Sequence, residues 1–99
     1  MKHFDELNKE ELEYLYEAIL ALDTKDDVER FLDDICTINE IKSISQRMQV
    51  AKMLRERKTY TEIANTTGAS TATISRVNRC LNYGSRGYKL VFNKLYGDE

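Results

Sequence analysis

An all-α fold follows from three features of the 99-residue sequence: it has no proline, only four glycines, and apolar residues at three- and four-residue steps along most of its length. Proline breaks helix interiors, and glycine supplies the positive-φ positions of tight hairpins. A chain short of both, with helical periodicity, favours helices over sheet. The length suits one domain with a core of limited size.

Leu12, Leu15, Ile19 and Leu22 fall on one helical face, while Glu10, Glu11, Glu13 and Glu17 take the remaining positions. The first helix therefore opens near Asn8 and ends by Leu22. Asp23-Thr24 supplies an N-cap for a second helix bearing Val28, Phe31, Leu32 and Ile35, with Asp26 and Asp27 in its first turn, where the helix dipole favours anions. Thr37 has the character of another cap. The third helix is expected over residues 38–57, with Ile41, Ile44, Met48 and Ala51 on one face, Val50 and Leu54 beside it, and Arg55, Arg57 and Lys58 at its basic end. Three long amphipathic helices leave more apolar face than so small a chain can cover, and pairing two chains would cover it.

The most specific stretch is YTEIANTTGASTATISRVNR, residues 60–79. In a helix-turn-helix two short helices cross closely, so the fifth position must be small; here it is Ala64. The ninth turns through a left-handed conformation and favours glycine; here it is Gly68. Ile63, Ala69, Ile74 and Val77 fill the apolar positions that lock the second helix down, Leu81 extends their face, and Ser70 can cap the helix. Thr71, Ala72, Thr73, Ser75 and Arg76 remain on the outer face, with Arg79 one turn on. Short side chains let a helix N-terminus approach base edges, with hydroxyls bonding bases and alanine meeting a thymine methyl.

Charge sharpens this. Residues 1–41 hold 4 Lys/Arg against 13 Asp/Glu, a net −9, and residues 42–99 hold 11 against 4, a net +7. The overall charge of −2 thus hides a basic half that contains the motif. Arg55, Arg57, Lys58, Arg79, Arg86 and Lys89 stand where phosphate contacts are expected. The two halves could also simply neutralise each other across a core or a dimer contact.

Other function classes find little support. Cys36 and Cys80 are isolated and the one histidine is His3, in a start expected to fray, so no tetrahedral metal set can be assembled. The two cysteines read as reduced, small core residues. No base or nucleophile has an orienting partner, so the chain is not expected to be an enzyme. The charged N-terminus is unlike a signal peptide, and no apolar run approaches the roughly 20 residues that span a bilayer. A cytoplasmic location and no membrane partner are expected.

From Thr37 to Leu95 the chain resembles the Trp repressor superfamily, and within it the small Trp-repressor-like proteins of Gram-positive bacteria. TGASTATISR (67–76) looks like the turn and recognition helix of that family, and TINEIKSISQR (37–47) is similar to the start of its long central helix. The resemblance implies a six-helix Trp-repressor-like fold in an intertwined homodimer, presenting two recognition helices to successive major grooves of double-stranded DNA about 34 Å apart. It assigns base reading to Thr71, Ala72, Thr73 and Ser75, preceded by Ser70. Arg47 and Arg76 match two arginines that clamp the indole of a tryptophan corepressor in that family. Val77, however, stands where the repressor has glycine, and Cys80 where it has serine. No cofactor is therefore expected, tryptophan included, and the two arginines serve equally well as partners of phosphate or carboxylate.

The expected organisation is a single helical domain. Residues 1–36 form an acidic dimerisation arm, 37–58 the central helix, 59–81 the helix-turn-helix and 84–96 a C-terminal helix. Gly84 and Gly87 bracket a short basic turn, read as a helix stop and restart with Tyr83 and Tyr88 half-buried over the core, or alternatively as a DNA-backbone contact or hinge. Tyr88, Val91, Phe92 and Leu95 are expected to pack into the dimer. The function expected is a sequence-specific transcriptional regulator, a repressor. A helical protein-interaction module that keeps the corner but binds no DNA is the alternative.

Overall fold

A computed structural model describes residues 4–97, so His3 lies outside the described residues. These residues form six helices: α1 (Lys9–Leu20), α2 (Lys25–Ile35), α3 (Ile38–Arg55), α4 (Tyr60–Thr67), α5 (Thr71–Tyr83) and α6 (Gly87–Tyr96). No described helix is long and apolar enough to cross a membrane. The chain divides into two compact units, residues 1–39 and 40–99.

Both helices of the first unit start on side-chain caps. The Asn8 amide oxygen accepts the Glu11 N–H at 3.0 Å to open α1. Thr24 and Asp27 form a reciprocal capping box at α2: Thr24 Oγ1 accepts the Asp27 N–H at 3.1 Å, and Asp27 Oδ2 accepts the Asp23 and Thr24 N–H groups at 3.1 and 3.4 Å. The Asp23 amide, foremost, holds the Asp27 carboxyl below its ordinary value. Neither α1 nor α2 contains a buried residue, and Leu20 is 82% exposed.

In the second unit α3 ends at Arg55, two residues before the expected stop. Arg57 takes a left-handed conformation, φ 65°. The Arg57 N–H donates to the Leu54 carbonyl and the Lys58 N–H to the Met53 carbonyl, both at 3.0 Å, closing the helix in a Schellman turn. Glycine normally marks such a turn, and arginine in its place left no sequence signal. The core that follows comprises Val50, Ala51 and Met53 of α3, Ile63 of α4, Ala69 of the turn, Ile74 and Val77 of α5, and Phe92 of α6. Met48, Leu54, Ala64, Leu81 and Tyr88 pack partly against it. Full burial of an aliphatic side chain such as Ile63 or Ile74 contributes about 1.5–3 kcal/mol.

Three packing expectations need correction. On α3 the buried face is Val50, Ala51 and Met53, while Ile44 is exposed and Met48 half-buried, because only the C-terminal part of the helix meets this core. Phe92, expected against a second chain, is buried within its own unit, whereas Val91 and Leu95 are exposed. Tyr88 is half-buried as expected, but Tyr83 is 85% exposed, since it ends α5 on the side away from Ile74 and Val77. The stop itself falls at Gly84, where a Cβ would lie 2.5 Å from the Cys80 carbonyl oxygen. Cys36 and Cys80 are free thiols, half-buried rather than wholly within the core.

Candidate nucleic-acid interface

The α4–turn–α5 corner is built by short-range hydrogen bonds. α4 opens on a capping box in which Thr59 Oγ1 accepts the Glu62 N–H at 3.1 Å and Glu62 Oε1 accepts the Thr59 N–H at 2.8 Å. The Thr59 amide is the main reason the Glu62 carboxyl sits below its ordinary value. α4 stops at Gly68, whose backbone is left-handed (φ 76°, ψ 5°) and whose N–H donates to the Ala64 carbonyl at 2.9 Å. Nothing lies within 4 Å of a Cβ built there, so backbone conformation rather than space calls for glycine.

Two residues that sequence periodicity did not single out stiffen the turn. The Thr67 hydroxyl donates to the Ile63 carbonyl at 2.8 Å and accepts the Ala69 N–H at 3.1 Å. Gln46 Nε2 on α3 donates to the Thr67 carbonyl at 3.1 Å, tying the corner to the central helix. A tether spanning 21 residues leaves no mark in a periodic pattern.

Ser70 then caps α5. Its hydroxyl oxygen accepts the Thr73 N–H at 3.1 Å, and its proton goes to Thr73 Oγ1, also at 3.1 Å. Ser70 is thereby fixed in place, and Thr73, as the acceptor, keeps its own hydroxyl proton as a donor. Ile74 and Val77 are buried on the inner face (0% and 1% exposed), and Thr71, Ala72, Ser75, Arg76 and Arg79 are exposed on the outer one, with Thr73 half-buried between. The expected reading residues thus occupy the start and solvent side of one helix.

The basic residues divide. Arg57, Lys58, Arg79, Arg86 and Lys89 are exposed. Arg55 lies over the α6 rings, its guanidinium carbon 4.5 Å from the Tyr96 centroid and 5.7 Å from that of Phe92.

Arg47 and Arg76, far apart in sequence, line one cleft of about 300 Å³ together with Ser43, Gln46, Thr73, Val77, Cys80 and Tyr88. Arg47 Nη1 donates to Ser43 Oγ at 2.9 Å. The volume is at the low end for small-molecule pockets, about 300–1,000 Å³. Val77 belongs to the core as well as to the lining of this cleft.

Residues 10–96 match the family described as Trp repressor protein. The uncharacterised protein YerC of Bacillus subtilis (strain 168) is 53% identical over 91 residues, covering 92% of this chain and 88% of YerC. Two crystal structures are closely similar. A TrpR-like protein from Eubacterium eligens ATCC 27750 shares 58% identity at a TM-score of 0.86, with 94% of this chain and 96% of that one covered. A provisional Trp repressor from Staphylococcus aureus shares 43% identity at a TM-score of 0.89, with 96% and 95% covered.

Proposed function

The chain belongs to the Trp repressor protein family, a regulatory and not an enzymatic one, and on that premise we propose that it is a sequence-specific DNA-binding repressor acting as a homodimer in the cytoplasm. One observation carries this reading. α5 buries Ile74 and Val77 while its first two turns offer Thr71, Ala72, Ser75 and Arg76 to solvent, in the half of the chain with net charge +7. A helix so mounted enters a major groove by its N-terminal end. Thr71, Thr73 and Ser75 supply hydroxyls to base edges, Ala72 meets a thymine methyl, and Ser70 holds the helix start; Arg76 and Arg79 flank this face.

Dimerisation is supported by the first unit. α1 and α2 have no buried residue, and Tyr14, Leu20 and Ile38 are 76%, 82% and 86% exposed. Apolar area on that scale is usually covered by another chain. Tryptophan has no part in the proposed activity, since Val77 puts a branched side chain into the lining of the cleft that Arg47 and Arg76 share.

The test is selection of bound duplexes from a random pool by the purified protein, with and without tryptophan. A palindromic site is expected, bound as a dimer with nanomolar-range affinity that falls steeply with salt, the same in both arms. No selected site, or a flat salt response, contradicts the proposal. A stoichiometric protein partner retained in high salt, without DNA binding, supports the interaction-module alternative instead.

A further inference from the structure

Among the described residues two non-glycine positions hold a left-handed backbone, and both are arginines: Arg57 (φ 65°) and Arg86 (φ 69°). Glycine or asparagine ordinarily occupies such positions, because an L side chain crowds the backbone there. Helix closure alone therefore gives no reason for arginine at position 57. Arg57 is exposed, and among the described residues its guanidinium has no ion-pair or hydrogen-bond partner. Backbone strain at an unpartnered charge points to a contact outside the chain.

The neighbouring helix indicates which contact. The first helix of a helix-turn-helix crosses the DNA backbone, yet α4 reads YTEIANTT and carries no Lys or Arg. Its one charged residue, Glu62, is committed to capping Thr59. Cations near its start come from the preceding turn: Arg55 lies over the Tyr96 and Phe92 rings, while Arg57 and Lys58 are exposed, and of these two only Arg57 holds the left-handed backbone. Arg86 shares the conformation but heads α6, beyond the C-terminal end of the 13-residue α5, about 18 Å along that helix from its reading end.

We propose that Arg57 is the phosphate clamp of the first helix, set at the left-handed position of the α3–α4 turn to hold the DNA backbone while α5 reads the groove. This rests on the DNA-binding reading above. The planar guanidinium fork can grip two phosphate oxygens, and such a contact fixes register without distinguishing bases.

The full chain with Arg57→Gly tests it, since glycine suits φ 65° and the fold is kept. Affinity is measured on the selected duplex and on a scrambled one between about 50 and 200 mM salt. The expected slope of log K against log salt is shallower by about one unit per bound copy. Affinity falls by the same factor on both duplexes, the melting temperature does not fall, and Arg57→Lys keeps the slope. Arg30→Ala, which removes the exposed Arg30–Asp26 pair on α2, is the control for loss of charge alone and leaves the slope unchanged. Wild-type slope and affinity in Arg57→Gly overturn the proposal, as does an equal slope change in Arg30→Ala. If the wild-type chain selects no duplex, the DNA-binding reading fails and the clamp with it; if it binds normally and Arg57→Gly matches it, only the clamp fails.

Discussion

Ile74→Ala is expected to destabilise the second unit by about 2–5 kcal/mol, the range for truncating a buried isoleucine. Ile74 has 0% exposure and is one of eight buried residues among those described, so few neighbours can collapse into the space it leaves. Domains of this size have about 5–15 kcal/mol of stability in total, so the loss is a large share of what holds α5 in place. A thermal melt should show a fall of at least about 10 °C, with DNA affinity dropping once the unfolded fraction becomes appreciable. A change below about 1 kcal/mol would mean that α5 is not anchored through this residue.

Thr71→Asp is expected to do the reverse: leave the fold intact and abolish recognition. Thr71 is exposed in the first turn of α5. A carboxylate there interacts favourably with the helix dipole, by about 0.3–1 kcal/mol, so the melting temperature should hold or rise. Against a phosphate-lined groove the same charge is repelled, and desolvation adds to the cost. Affinity for the selected duplex should fall on the order of 100-fold, about 2.7 kcal/mol. Retention of wild-type affinity would remove Thr71 from the reading face. The two substitutions also form a pair: one loses binding through the fold, the other with the fold preserved.

The corner was legible in the sequence because each of its positions answers a separate mechanical demand. Ala64 permits close crossing, Gly68 takes φ 76°, Ser70 caps, and Ile63, Ile74 and Val77 are buried. These constraints are local, so a short window of residues contains them. The end of α3 was less legible, since the left-handed position that stops it is held by Arg57 and no glycine announced it. The Gln46–Thr67 tether was invisible for a different reason, being a single polar contact between residues with no shared periodicity. In α6 the stripe of Tyr88, Val91, Phe92 and Leu95 was correctly apolar, but periodicity does not say which body covers it. The ring of Phe92 is stacked 6.5 Å from that of Tyr88 and buried in its own unit. Convergence of Arg47 and Arg76 on one cleft came from resemblance rather than from spacing, for nothing in a 29-residue separation brings two side chains together.

The proposed DNA binding rests on the asymmetry of α5: core packing fixes its inner face through Ile74 and Val77, while Thr71, Ala72, Ser75 and Arg76 stand in solvent on the outer one. The most direct test is a titration of the isotope-labelled protein with its selected duplex, following backbone amide and side-chain signals residue by residue. The largest changes should fall on Thr71, Ala72, Thr73, Ser75 and Arg76, with the α3–α4 turn next, while α1 and α2 stay nearly unmoved. Changes centred on α1 and α2, with the start of α5 silent, would contradict it.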